Sequence, residues 1–458
     1  MFKNRLRHWI NSKVIFSVAT LALPLVLFEG LLHSRELIIT RFTSVLGTAD
    51  IAAYSIGYTL FNLILSFNMG FTMGLGVVAT REMGRKNYSE VTKIMVNGYF
   101  IGILLAVILG IAIFNMGLLL HSIKEPPKLI LLASQFTYML SFAALPATIA
   151  IVSEQLALLV DKPKFILMFG LITVIGIVFF TYIFGMGHLG SPMMGLKGFG
   201  LAILLAGSME CFCWVLFITF HSELKNFYFR KKLLSIKPAI IIEIFRVGLP
   251  LGIKQIIAVN GVLWVFTLII GKIGTVDLAV FQLLLAFITI TSAIPNGVSR
   301  VVAIKVGKQL GALRLSIARQ YSDAGLLIVC SIIILVGLFM LFEPNQLIGL
   351  LLTPHNAQER QVFQIAVNLL RLSGPLALVA ALMIIGYSIL AGFKDTFFTL
   401  IAESGSVWLV SLPVGYSLYR IFHGGVRDYW FGLFVGICLC VVIYAFRIRY
   451  KFKKREYL

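Results

Sequence analysis

Glu29, His33 and Glu36 stand at i, i+4 and i+7 in PLVLFEGLLHSRELIITRF, an otherwise apolar stretch that begins at Pro24. A helix turns about 100° per residue, so the three side chains share one face while Arg35 points away, toward a neighbouring helix. A carboxyl group in a low dielectric holds its proton more tightly, and an imidazole titrates near neutrality. Glu29, His33 and Glu36 can therefore act as a proton relay. Na⁺ needs several convergent oxygens, and only Glu29 and Glu36 lie close together here, so H⁺ is the expected coupling ion rather than Na⁺. The plain alternative is a set of paired charges that orders a helix bundle, or a helix end at an interface.

The elements that must position this cluster are legible from composition. The chain has 458 residues, 59% hydrophobic and 13% charged, with a mean hydropathy of +0.97. Twelve apolar runs recur, numbered here as spans 1 to 12: 14–40, 51–79, 94–120, 130–159, 165–187, 197–220, 239–270, 278–302, 322–342, 363–390, 396–419 and 429–447. Each can cross a hydrocarbon core of ~30 Å as a helix. The runs do not alternate, which excludes a β-barrel. The expected fold is all-α, a polytopic membrane protein whose partner is the lipid bilayer.

The net charge of +20 does not mark a nucleic-acid binder, because the basic residues sit between the spans. Of 39 Lys and Arg, 27 fall on the side that carries both termini and 8 in the opposite loops. That bias places both termini in the cytoplasm, in what is expected to be a bacterial inner membrane. The basic segment MFKNRLRHWINSK runs on into span 1 without a small-residue cleavage site, so a cleaved signal peptide is not expected. Cys211, Cys213, Cys330, Cys438 and Cys440 all lie in apolar runs and read as small buried residues. No His joins them at metal-ligand spacing, so neither a metal nor a cofactor is expected.

The halves repeat. Leu23-Pro24-Leu25 answers Leu249-Pro250-Leu251, and Leu46-Gly47-Thr48-Ala49-Asp50 answers Ile273-Gly274-Thr275-Val276-Asp277. Gly74 to Gly84 answers Gly297 to Gly307, Pro146 answers Pro375, and Cys211-x-Cys213 answers Cys438-x-Cys440. The basic segment 221–238 divides an N-terminal lobe, 1–220, from a C-terminal lobe, 239–458, each with six spans in the same orientation. Two pseudo-symmetric six-helix lobes with a cleft between them suit a transporter that rocks about a central site. Pro24, Pro146, Pro250 and Pro375 can kink their helices and give spans 1 and 7 a bending point.

Within this frame LGTADIAAYSIG, GLGVVATREMGRKN, MGLKGFGLA, VGLPLG and LAGFKDT resemble, in order and spacing, the multidrug and toxic compound extrusion (MATE) transporters. The resemblance covers nearly the whole chain and implies secondary active export driven by an inward H⁺ or Na⁺ gradient. The acidic residues usual in that family are missing. Its span 1 Asp is matched by Ile39, one branch's Glu and Asp by Ala258 and Ala380, and another branch's Asn and Asp by Ile175 and Phe179. The family's ion machinery therefore does not carry over residue by residue.

The remaining polar groups form the candidate substrate site: Arg35, Tyr54, Asn62, Lys254, Gln255, Arg371 and Glu403. Lys254 follows Pro250 by one turn, and a buried ammonium needs an anionic ligand or a counter-ion, for which Glu29, Glu36, Glu210 and Glu403 are available. Gln255 answers Glu29 in the repeat. Arg371 either enters the core of span 10 or snorkels to the interface. Asn68 and Gln282 read as interhelical hydrogen-bond formers, as Asn62 does in its plainer reading. Tyr54, Tyr58, Phe61, Phe67 and Trp264 either floor an aromatic cavity or simply pack. No nucleophile–base set appears, which excludes an enzyme. The sequence thus points to a monomeric, proton-coupled exporter of a small organic compound, drug-like or an anionic or zwitterionic metabolite. A lipid or lipid-linked-substrate flippase of the wider superfamily is the alternative.

Overall fold

A computed structural model describes residues 11–122, 126–227, 235–354 and 356–453, apart from a few side chains, among them that of Glu36. Its described residues fold as helices with no strand, and twelve of the helices are long and apolar enough to cross a membrane. Several exceed the apolar runs. Span 2 is Thr48–Gly84, span 8 Thr275–Gly311 and span 10 Ala357–Gly392. Helices of some 36 residues reach roughly 54 Å, well beyond a ~30 Å core, so their charged ends continue the helix into water. Span 3 is displaced from the expected 94–120. It runs Tyr88–Phe114 and stops at Asn115, before a separate short helix Met116–Ser122. The start is set by Asn87, whose side chain accepts from Glu90 N, a cap that the hydropathy pattern does not register.

Four short loops share one geometry. Lys86, Asp161, Leu313 and Lys394 have φ of 60°, 57°, 58° and 61°, a left-handed conformation uncommon outside glycine. After each, the next amide reaches back five residues: Asn87 N to Glu82 O, Lys162 N to Ala157 O, Arg314 N to Gln309 O and Asp395 N to Leu390 O, at 2.8–3.0 Å. This is the Schellman closure of a helix C-terminus. The loops follow spans 2, 4, 8 and 10, so the repeat is built into the turns even where the side chains differ.

By internal contacts the described residues form two compact units. One is Leu27–Gly252; the other joins the residues before Leu27 to those from Ile253 onward. The divisions fall inside spans 1 and 7, two residues after Pro24 and Pro250, rather than at the basic segment 221–238. Within the first unit, Phe136, Leu140, Ala143 and Phe199 pack around Tyr54 and Phe61. Gly74 of span 2 meets the backbone of Gly248 in the first half of span 7. In the second unit Phe266, Phe281, Leu370, Tyr429 and Trp430 form the core. Gly297 of span 8 meets Val26, in the first half of span 1. Small residues let backbones approach this closely, which is how helices associate in lipid without a hydrophobic driving force.

The described ends of the segment between spans 6 and 7 are anchored to span 3. Thr92 donates to the Phe227 carbonyl. Asn97 donates to Ser235 O at 3.0 Å and accepts from Lys237 N at 2.9 Å. Arg230, Lys231 and Lys232 of the basic segment lie outside the described residues.

Candidate functional site

Lys254 ends the helical first part of span 7, Pro238–Lys254. From Gln255 to Gly261 the helix widens into a π segment before resuming at Val262–Ile273. Span 11 does the same: helix Thr396–Ser406, π segment Val407–Ser411, helix Leu412–Phe422. Widened turns free backbone carbonyls, which must be satisfied in an apolar setting. Asn260 donates to Gln255 O at 2.8 Å, and Trp408, in the span 11 segment, donates its indole N–H to Ile257 O at 3.1 Å. The two irregular segments are thus joined to each other.

Just ahead of these segments lies a buried ion pair. Lys254 Nζ is 3.2 Å from Glu403 Oε2, with side chains 4% and 3% exposed. Tyr444 of span 12 donates to the same carboxylate oxygen at 3.0 Å and also to Thr399 O at 3.1 Å. The Lys254 ammonium sits 3.4 Å from the ring centroid of Tyr387 in span 10. An ammonium is tolerable here because carboxylate and aromatic face together replace its hydration. Of the four candidate counter-ions the structure gives Lys254 Glu403.

A second polar cluster lies in the other unit. Arg35 points at span 2, where its Nη2 donates to Tyr58 OH at 2.9 Å. Tyr58 stacks on Tyr54 with centroids 5.2 Å apart, and Tyr54 meets Phe136 at 5.4 Å. Glu210 of span 6 accepts from Thr173 Oγ1 at 2.7 Å and from Trp214 Nε1 at 3.4 Å. Arg35 and Glu154 are within electrostatic reach of it. Glu29 is buried at 7% exposure, and His33 is half-buried on the same helix. The side chain of Glu36, the third member of the relay, lies outside the described residues.

The other candidates separate. Gln255 opens the π segment beside Lys254. Asn62 is half-buried one turn beyond Tyr58. Arg371 is exposed, sixteen residues before Tyr387 on span 10, roughly 24 Å along the helix, so it is no part of the Lys254 cluster. Trp264 is 50% exposed while Tyr54, Tyr58 and Phe61 are core. Asn68 donates to Thr148 Oγ1 at 2.6 Å and Gln282 to Thr267 Oγ1 at 3.4 Å, both between helices. Cys440 is buried, but Cys211, Cys213, Cys330 and Cys438 are only half-buried, because an apolar run has a lipid side as well as a core side. Tyr387, Tyr444 and the π segments escaped sequence reasoning. A tyrosine at the end of an apolar run gives no sign that its hydroxyl faces inward.

The MatE family model matches residues 24–183 and again 250–417. The two matches begin at Pro24 and Pro250, the repeat-related prolines. The chain belongs to the MatE family. It is a multi-pass membrane transporter and not an enzyme. It is 25% identical over 408 residues to the probable multidrug resistance protein NorM of Pseudomonas putida, covering 88% of this chain and 87% of that one. To the multidrug resistance protein NorM of Burkholderia vietnamiensis it is 25% identical over 448 residues, with 96% and 95% covered. A solved structure described as the outward-facing conformation of a multidrug resistance MATE family transporter of the MOP superfamily superposes with a TM-score of 0.88. It shares 16% identity and covers 97% of each chain, a likeness of fold.

Proposed function

We propose that this MatE chain is a secondary active exporter of small organic, drug-like compounds, working by alternating access as an antiporter in a bacterial inner membrane. Its orientation, with both termini cytoplasmic, rests on the Lys and Arg bias. The observation that carries the reading is the match of one family model to both repeats, together with end-to-end similarity to relatives named as multidrug resistance proteins. Coupling to H⁺ is supported by the buried Glu29 with His33 one turn away, an acid–imidazole pair suited to proton transfer. Protons arriving from outside neutralise Glu29 or Glu36, and the outward-open state loses its hold on the substrate.

Substrate charge follows from the Lys254–Glu403 pair. Glu403 neutralises Lys254 within the protein, which removes the cation on which recognition of an anionic metabolite would rest. A drug-like neutral or cationic compound is the better fit.

The test is efflux of a cationic aromatic dye in everted vesicles under an imposed pH gradient or an imposed Na⁺ gradient. Export under the pH gradient alone is expected. Export under Na⁺ alone would overturn the choice of ion. Failure under both, with lipid translocation in the same vesicles, would replace this reading by a flippase.

A further inference from the structure

The second unit contains a groove of about 730 Å³, within the size range of ligand clefts, between spans 9, 10 and 12. Its walls include Leu326, Leu382, Val441 and Ile448. Its rim carries Arg319, Arg449 and Lys453, all exposed. Asp323, one turn past Arg319, is the only acid among the described lining residues, so three cations face one anion. Arg319 lies in the 300–320 segment and Arg449 and Lys453 in the C-terminal segment, both on the side of the chain's termini.

An apolar slot between membrane helices with cations at one end is matched in charge and polarity by one class of ligand. We propose that this groove binds an anionic phospholipid of the cytoplasmic leaflet, its phosphate on Arg319, Arg449 and Lys453 and an acyl chain along the apolar walls. Zwitterionic lipid offers the same chain but no net charge to the rim.

The site also touches the buried ion pair of spans 7 and 11. Tyr444 lines the groove and holds Glu403 Oε2 with its hydroxyl at 3.0 Å. A seated chain packs against the residue that fixes the Lys254–Glu403 pair, so lipid occupancy stiffens that pair. The leaflet assignment rests on the orientation proposed above. Binding of lipid in micelles depends neither on orientation nor on transport, so the two readings fail separately.

The experiment is native mass spectrometry of the full chain in detergent micelles, given equimolar phosphatidylglycerol and phosphatidylcholine. Wild type is expected to retain phosphatidylglycerol preferentially. Each of Arg319→Gln, Arg449→Gln and Lys453→Gln should weaken that retention about fivefold. Arg85→Gln with Lys86→Gln, exposed cations elsewhere, should not change it. Ala445→Phe, at an exposed lining position, should reduce retention by filling the slot. All four rim and slot positions are exposed, so these variants are expected to fold. Equal retention of the two lipids, or a triple rim variant that keeps phosphatidylglycerol as the control does, would overturn the proposal. So would equal protection against thermal unfolding by inorganic phosphate, which would make this a free-anion site.

Discussion

Lys254 and Glu403 form a buried ion pair, 3.2 Å between Nζ and Oε2, where the other repeat has an apolar contact. Phe28 lies four residues past Pro24 as Lys254 does past Pro250. Gly170 lies nine residues past left-handed Asp161 as Glu403 does past left-handed Lys394. A Cβ on Gly170 would come within 2.5 Å of the Phe28 ring. One helix crossing is thus built twice, once from a ring on a glycine and once from two charges. The first solution shows that the crossing does not need charge to pack.

Removing one member of the pair should therefore be worse than removing both. Lys254→Ala leaves the Glu403 carboxylate buried without its counter-ion, at an expected cost of about 3–5 kcal/mol. Lys254→Phe with Glu403→Gly copies the other repeat and should recover most of that loss. Thermal unfolding in micelles reads the difference. A double variant as unstable as the single one would refute the equivalence of the two crossings.

Tyr444→Phe keeps the ring and removes the hydroxyl that donates to Glu403 and Thr399. A hydrogen bond to a charged group contributes about 1.5–3 kcal/mol, so the variant should be destabilised by that much. Combined with Lys254→Ala the two losses should not add, because both act on one carboxylate.

Asp395 sets a pH dependence at the loop between spans 10 and 11. Burial alone would raise its pKa. Hydrogen bonds from Arg447 at 2.7 Å and Lys451 at 3.0 Å, with their charges, outweigh this and hold the carboxyl below its ordinary 3.8. A depressed carboxyl stabilises the fold fully above its unfolded value and loses that contribution as pH falls through the folded one. Asp395→Asn should therefore be less stable than wild type by a constant margin from pH 6 to 8, with the margin closing only below about pH 4. The other repeat places Lys162 on Glu223 at 2.7 Å, the same tie with its charges reversed.

Gly74→Ala tests the closest backbone approach in the Leu27–Gly252 unit. Its Cβ would fall 2.3 Å from Gly248 Cα, and backbone cannot rotate aside. A loss of about 1–3 kcal/mol or more is expected. Gly207→Ala, with nothing within 4 Å of the new Cβ, is the control and should be near neutral. Equal behaviour of the two in unfolding measurements would contradict the packing of span 2 on span 7.

Glu29→Gln keeps shape and removes the titrating group. Export driven by a pH gradient should fall at least tenfold while folding is retained, as read by initial dye-efflux rates. The same should hold for Glu36→Gln. Undiminished export in both would remove span 1 as the proton path.

The sequence by itself determined the class, the number of spans and the repeat. Length and apolarity decide what can cross a bilayer, and matched motifs in order survive as text. It also located Lys254, Glu403, Arg35 and Glu29 as costly groups, because a charge in an apolar run is anomalous wherever it sits. Which charge meets which was decided only in three dimensions. Lys254 and Glu403 are 149 residues apart, and several carboxylates were equally plausible partners. The π segments, the four Schellman turns and the inward hydroxyl of Tyr444 were likewise absent from the pattern. They depend on where backbone and side-chain polar groups find partners across helices, and hydropathy records only that the helices are apolar.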